Sequence, residues 1–307
     1  MDKTRVWFIT GCSSGFGRRI AHRALALGDK VIATARRVEH LDGLKAAGAT
    51  VMRLDVTDPM DVINKVAEDA EAVYKRVDIV VNNAGSGVLG PLEEIGPEGL
   101  EQQYKVNVFG VLAVAKAFLP YMRQRREGII VIMGSRSGWR IAPGIGAYST
   151  SKAAVNLLGE TLAAEVAPFN IRVLTLIPGG FHTEGIVGNP VIVPSHPNHI
   201  RISDYDAFRR DLESRMKKLP GTQLGDPDKL AEVVTAVVGG EGIMTGERST
   251  SSSEDHAGDV TESNIRPWPK RLFLGSDAEK DVRDRMAEMN QTMIEWSDVL
   301  KSTDRTF

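Results

Sequence analysis

Apolar residues along the chain fall into two alternating patterns: short continuous runs, and longer stretches in which they recur every three or four positions. The first predicts buried strands and the second amphipathic helices. Val6-Trp7-Phe8-Ile9 is such a run. It meets the glycine-rich turn Thr10-Gly11-Cys12-Ser13-Ser14-Gly15-Phe16-Gly17, and a helical pattern through Ile20, Ala24 and Leu27 follows and stops at Gly28. The same reading predicts strands at 31–34, 51–54, 79–81, 129–133, 171–177 and 271–274. It predicts helices at 40–47, 59–74, 100–125, 148–167, 204–218, 227–238 and 277–300.

Strands apolar on both faces, each followed by a helix, predict an α/β fold: a doubly wound parallel sheet with helices on both sides. In such sheets ligands bind beyond the carboxyl ends of the strands. Beyond residue 177 the rhythm loosens. The stretch 179–220 is rich in proline and too long for a simple connection, so it reads as a loop over the site; Gly185, Gly188 and Gly221 are candidate hinges of a lid spanning 185–220. Residues 245–263 are dense in Ser, Thr, Glu and Asp and read as a solvated insertion. The last helix carries Met286, Met289, Met293 and Trp296 on one face, which predicts core packing or, alternatively, a wall of a substrate pocket.

Composition narrows the function classes. Across 307 residues, 38 Lys+Arg against 40 Asp+Glu leave a formal net charge of -2. That argues against a broad footprint for nucleic acid or anionic membrane. A single cysteine, Cys12, excludes an intrachain disulfide and a cysteine zinc cage. No run approaches the roughly 18 apolar residues of a membrane span, and the first apolar run is too short for a signal peptide. A cytoplasmic setting is the expectation.

The glycine turn lies where a phosphate cradle needs it. Gly11 permits the tight turn, Gly15 lets backbone approach a pyrophosphate, and Gly17 allows close packing of helix on strand; the helix N-terminus supplies unpaired N–H groups. Cys12 inside it reads as a small filler, since no second thiol exists for redox work. His196 and His199 lack a third ligand nearby in sequence, so no metal site is expected.

Thr10-Gly-x3-Gly-x-Gly17 is followed by Asn82-Asn83-Ala84-Gly85, then Asn107, Ser135, Tyr148-x3-Lys152 and Pro178-Gly179. Over residues 4–185 this order and spacing resembles the short-chain dehydrogenase/reductase family; beyond about 245 the chain looks like a longer branch of ketone and retinol-type reductases. The resemblance implies a single Rossmann-type domain over 1–307 with a C-terminal extension. It implies Ser135, Tyr148, Lys152 and Asn107 as catalytic residues, with Asn107 holding a water chain behind Lys152 through its backbone. It also implies dinucleotide contacts from Gly11, Ser13, Ser14, Gly15, Phe16, Gly17, Arg36, Arg37, Asp55, Val56, Asn82, Ala84, Gly85, Tyr148, Lys152, Pro178, Gly179 and Thr183. Thr183 corresponds to a nicotinamide carboxamide contact, Asp55 to an adenine contact; Asp55 equally reads as a helix cap. A homodimer or homotetramer through helices 100–125 and 148–167 is expected.

The second strand ends in Thr34-Ala35-Arg36-Arg37. A carboxylate there would accept the ribose hydroxyls of NAD; a guanidinium instead matches a 2′-phosphate, which predicts NADP(H) over NAD(H) unless Arg36 is simply solvated. Tyr148 and Lys152, four apart, share a helix face, and an ammonium beside a phenol is expected to lower its pKa. Tyr148 can then exchange a proton with a carbonyl or alcohol oxygen that Ser135 also holds, while hydride passes between cofactor and substrate carbon. Trp139, Ile145, Phe181, Ile186 and Val187 are candidates for an apolar substrate wall. Arg136 or Arg140 meets an acidic or phenolic group of the substrate, or both face solvent or cap the loop. The readings are therefore an NADP(H)-dependent reductase or dehydrogenase for a carbonyl/alcohol substrate, or a catalytically silent dinucleotide sensor on the same fold. The intact Asn107, Ser135, Tyr148 and Lys152 favour the enzyme.

Overall fold

A computed structural model describes residues 4–184, 191–192, 201–240 and 266–305. Its strands are β1 (Val6–Ile9), β2 (Lys30–Ala35), β3 (Thr50–Arg53), β4 (Ile79–Asn82), β5 (Val88–Leu89), β6 (Gly128–Met133), β7 (Ile171–Pro178), β8 (Val191–Ile192) and β9 (Arg271–Leu274). The helices are α1 (Gly15–Ala26), α2 (Asp42–Ala46), α3 (Met60–Tyr74), α4 (Leu92–Tyr104), α5 (Gly110–Arg125), α6 (Gly146–Val166), α7 (Asp206–Lys218), α8 (Pro227–Gly239), α9 (Ser276–Glu295) and α10 (Ser297–Ser302). Seven strands form one parallel sheet in the order β3-β2-β1-β4-β6-β7-β9, with β5 and β8 paired separately. This is the doubly wound sheet expected, and its order reverses between β1 and β4, which opens the crevice for a ligand.

Alternation within β1 explains the two layers. Trp7 and Ile9 face one way, into a core with Ile20 and Ala24 of α1 and Leu230 and Val234 of α8. Val6 and Phe8 face the other, packing with Ile63 of α3, Phe118 of α5 and Val155 of α6. Both faces of the strand are buried, so it is continuously apolar.

Three sequence expectations need correction. The helix expected at 100–125 starts earlier, after a kink at Gly96 (φ +62°) that sets off the turn beginning at Leu92, and is interrupted by a π-turn over Lys105–Phe109, centred on Asn107. One extra residue per turn rotates Asn107 inward, a distortion found mostly at functional sites. The helix expected at 277–300 breaks at Trp296, between α9 and α10. Its apolar face is not core: Met286, Met289, Met293 and Trp296 are each 50% or more exposed, because α9 buries only its first turns through Ala278 and Val282.

One helical stretch among the described residues, Leu92–Arg125, is long and apolar enough to cross a membrane, and half of its apolar window is buried inside the fold. Residues 245–263, His196, His199, Ile186, Val187 and the first part of the expected lid lie outside the described residues. Its later part, α7, is anchored: buried Arg209 ion-pairs with buried Glu94 of α4, whose Oε1 also accepts from the Ile202 N–H at 2.8 Å.

Candidate active site

The site lies at the carboxyl ends of β1, β4, β6 and β7. Gly11 and Gly15 have φ of +71° and +59°, which L side chains rarely adopt. A Cβ at Gly17 would lie 2.5 Å from Asn83 Nδ2. The Asn83 amide donates to the carbonyls of Thr10 at 2.9 Å and Gly11 at 3.1 Å, stapling the turn to the end of β4. Thr10 Oγ1 completes the staple by accepting from the N–H groups of Asn83 and Ala84, each at 3.0 Å. Cys12 is buried with its thiol pushed up to about 12 by desolvation, which suits a filler and not a nucleophile.

Ser135 ends the strand–loop transition after β6, and its Oγ accepts the Ser137 N–H at 3.1 Å, capping a short 3₁₀ turn. The same hydroxyl lies beside the phenol of Tyr148 and favours its phenolate. Tyr148 and Lys152 sit one turn apart on α6, with Lys152 Nζ 5.8 Å from the Tyr148 ring centroid. Lys152 is buried and donates to the Met133 carbonyl at 2.6 Å. Asn107 ties the parts together: its Nδ2 donates to the Ser86 carbonyl and to Ser151 Oγ, both at 3.0 Å, and its Oδ1 accepts the Ser86 N–H. Ser151 Oγ in turn donates to the Tyr148 carbonyl at 2.7 Å, so the buried asparagine side chain fixes the first turn of α6.

The electrostatics correct one expectation. Desolvation pushes the Tyr148 phenol above its ordinary value, against the neighbouring Ser135 hydroxyl, which favours the phenolate. The same effect lowers Lys152 from 10.5 to about 8. Desolvation of the charged form is the largest cause of each shift.

A family model described as short chain dehydrogenase matches residues 5–187. The oxidoreductase BOA17 of Botryotinia fuckeliana is 38% identical over 241 residues, covering 77% of this chain and 85% of that protein. The crystal structure of a short-chain dehydrogenase from Streptomyces avermitilis superimposes with a TM-score of 0.78 at 36% identity, covering 99% of this chain and 100% of the other. A short-chain dehydrogenase/reductase from Burkholderia phymatum, in complex with NAD, gives 0.67 at 27% identity over 77% of this chain and 86% of that one. The chain belongs to the short-chain dehydrogenase family. It is an oxidoreductase of that family, whose members bind a nicotinamide dinucleotide.

The residues of this short-chain dehydrogenase fit such a cofactor. The glycine turn leaves space that a Cβ would close, and Asn82 Nδ2 at the end of β4 is buried with no partner. Gly85 lies against the catalytic groups: a Cβ there would be 3.4 Å from Asn107 Oδ1 and 3.8 Å from Lys152 Nζ, ordinary contact distances. Ser13 and Ser14 keep their hydroxyls free of any cap to α1, and Phe16 stacks edge-on against Phe181 with centroids 5.3 Å apart. Arg36 and Arg37 are exposed past the end of β2. Asp55 is no helix cap: its Oδ1 accepts from the N–H and hydroxyl of Thr57, and α3 starts later, after Pro59. Val56 is buried against Gly110. Pro178 ends β7, Gly179 donates its N–H to the Leu274 carbonyl at 2.8 Å, and Thr183 lies against Gly15.

The expected substrate wall is only partly present. Phe181 packs inward on Phe16 and Gly225 and is part of the core layer, not a pocket wall. A cavity of about 490 Å³ does open beside the loop after Ser135, lined by Leu92, Trp139, Ile141, Pro143, Tyr205 and Phe208. Its walls include Ser149 and Thr150 but not Tyr148 itself. Arg136 pairs with Asp277 and Asp281, each at 3.0 Å, and Arg140 with Asp281 at 3.7 Å, which ties the loop to α9, while Arg140 also lines the cavity.

Sequence reasoning missed Glu184. Its carboxylate accepts the Gly15 N–H at 3.0 Å and takes a two-point bond from Arg19, at 3.0 Å on each oxygen. Arg19 above all holds the Glu184 carboxyl down to about 2. An anion thus already sits on the N-terminus of α1, where a pyrophosphate is expected to bind. The signal that could have found it was a carboxylate directly after Thr183, on the loop facing the glycine turn.

Proposed function

We propose that this chain is an NADP(H)-dependent carbonyl reductase that interconverts a ketone and a secondary alcohol, or an aldehyde and a primary alcohol, on an apolar substrate. The observation that carries the reading is that Ser135 and Tyr148 stand together with the buried Lys152 amine 5.8 Å from the phenol ring, beside the glycine turn. When bound, the dinucleotide supplies or accepts the hydride. Tyr148 holds its proton at neutral pH, because desolvation raises its pKa, and so stands ready to protonate a substrate carbonyl oxygen. Ser135 hydrogen-bonds that same oxygen and orients it. Lys152, with its pKa at about 8, remains a cation near neutrality and stabilises the phenolate left after proton transfer. Asn107 holds Tyr148 in register through Ser151.

NADP(H) preference rests on Arg36 at the end of β2, where a carboxylate would be needed to accept ribose hydroxyls. Phe109, Leu112 and Leu157 expose apolar surface on the outer sides of the 92–125 helical stretch and α6, supporting a homo-oligomer through these helices. A monomeric mass by light scattering would refute that part. The central test is NADPH oxidation with a panel of ketones and aldehydes, with NADPH binding measured in parallel. Turnover supports the proposal; NADPH binding without turnover across the panel would refute it and favour a sensor.

A further inference from the structure

The C-terminal extension reaches the catalytic loops through one carboxylate. β9 adds to the sheet edge beside β7, pairing Leu274 with Pro178. Gly275, at φ +99°, then turns the chain into α9 and sets Asp277 over the Pro178-Gly179-Gly180 bend. Asp277 Oδ2 accepts the Gly180 N–H at 2.8 Å and pairs with Arg136 Nη1 at 3.0 Å. Its Oδ1 accepts the Ala278 N–H at 2.9 Å and lies so close to Gly179 that a Cβ there would collide with it. One helical turn on, on the same face, Asp281 pairs with Arg136 at 3.0 Å and with Arg140 at 3.7 Å. Arg136 directly follows Ser135, and both the arginine and the two carboxylates are about one-fifth exposed, 21%, 19% and 20%.

We infer that Asp277, assisted by Asp281, is a positioning residue for the reaction: it clamps the Ser135 loop and the Pro178-Gly179-Gly180 bend to one another. The inference rests on the reductase reading above. These two loops come from different strands, β6 and β7, and on the proposed reading bring together the hydroxyl that orients the substrate oxygen and the backbone beside the nicotinamide. No backbone hydrogen bond joins Arg136 to Gly180; their shared partner is the Asp277 carboxylate. A carboxylate that accepts from a backbone N–H and ion-pairs with a guanidinium on the same oxygen ties the two positions to one charge. Displacing a reacting group by about 1 Å can cost on the order of 100-fold in rate. The clamp therefore places its effect on turnover rather than on cofactor affinity.

The test uses Asp277→Ala and Asp281→Asn in the full chain. Hydrogen exchange on the cofactor-free protein reads the clamp without any activity: in Asp277→Ala, amides at 136–139 and at 180 should exchange at least about tenfold faster, with 60–74 in α3 unchanged. Unchanged exchange at 180 overturns the clamp. Turnover is then measured with NADPH and the panel ketone that the unmodified enzyme reduces, alone and in a Ser135→Ala background. Asp277→Ala should lower kcat by about 10- to 100-fold with NADPH affinity within about threefold, and should have little further effect once Ser135 is gone. An equal loss in both backgrounds marks a general structural role and overturns the inference. Asp281→Asn leaves the Gly180 acceptor in place, so it should speed exchange only at 136–140 and lower kcat by a smaller factor. It decides the question should Asp277→Ala fail to fold, since no change in exchange or kcat there also overturns the inference. If no ketone is reduced, the reductase reading fails while the exchange result still judges the clamp.

Discussion

Lys152 carries a cost that a pH series can expose. Its side chain is 5% exposed, its Nζ donates to the Met133 carbonyl at 2.6 Å, and burial lowers its pKa from 10.5 to about 8. Below about pH 8 the lysine is charged in both folded and unfolded chains, and the folded state bears the full penalty of burying it. Between about 8 and 10.5 the unfolded chain binds the extra proton, so stability rises with pH; above both values the penalty is gone. A fall from 10.5 to about 8 corresponds to about 3 kcal/mol. Most of it, about 2.5 kcal/mol, should be recovered between about pH 7 and pH 10. Lys152→Met removes the titrating group while keeping an unbranched apolar stem. In urea unfolding, the stability of the unmodified protein relative to Lys152→Met should therefore climb by about 2.5 kcal/mol over that range. Subtracting the variant cancels every other group that titrates identically in both proteins. Parallel stability curves from pH 7 to 10 would refute the reasoning, and the buried ammonium with it. On the functional side, the same titration predicts ketone reduction that is flat near neutrality and declines above about pH 8 as Lys152 loses its proton.

Tyr148→Phe deletes the proton donor while keeping the ring, and should cost at least about 100-fold in turnover with NADPH binding retained; near-normal turnover would remove Tyr148 from the mechanism. Arg36→Asp should shift kcat/KM from NADPH toward NADH, and an unmodified enzyme that already favours NADH would refute the NADP(H) assignment. Glu184→Ala vacates the Gly15 N–H and leaves Arg19 paired with Asp228, so it should tighten NADPH binding by roughly fivefold, about 1 kcal/mol after allowance for a half-exposed carboxylate. Since the Glu184 carboxyl titrates only at about 2, the gain should be constant from pH 6 to 8, and unchanged or weakened binding would show that Glu184 does not compete with the cofactor.

Local order was legible in the chain because strand and helix periodicities and the glycine turn are set by residues close together. The β1 run, the turn through Gly17, the four-residue spacing of Tyr148 and Lys152 on α6, and the parallel sheet all follow from such near-neighbour patterns. What tertiary structure alone decided are pairings between distant positions and the depth at which groups lie. Glu184 meets Gly15 across 169 residues and Asp277 meets Gly180 across 97, and only the strand order brings either pair together. Asn107 points inward because a π-turn adds a residue to its helix, and Met286 and its neighbours stay exposed because α9 buries only its first turns, through Ala278 and Val282. The ionisation of Tyr148 and Lys152 belongs to the same class: spacing put the ammonium beside the phenol, but the desolvation of a half-buried phenol and a buried amine, a property of the packed layers, sets the direction of both shifts. Desolvation depends on everything that surrounds a group in space, and that surrounding is assembled from the whole chain.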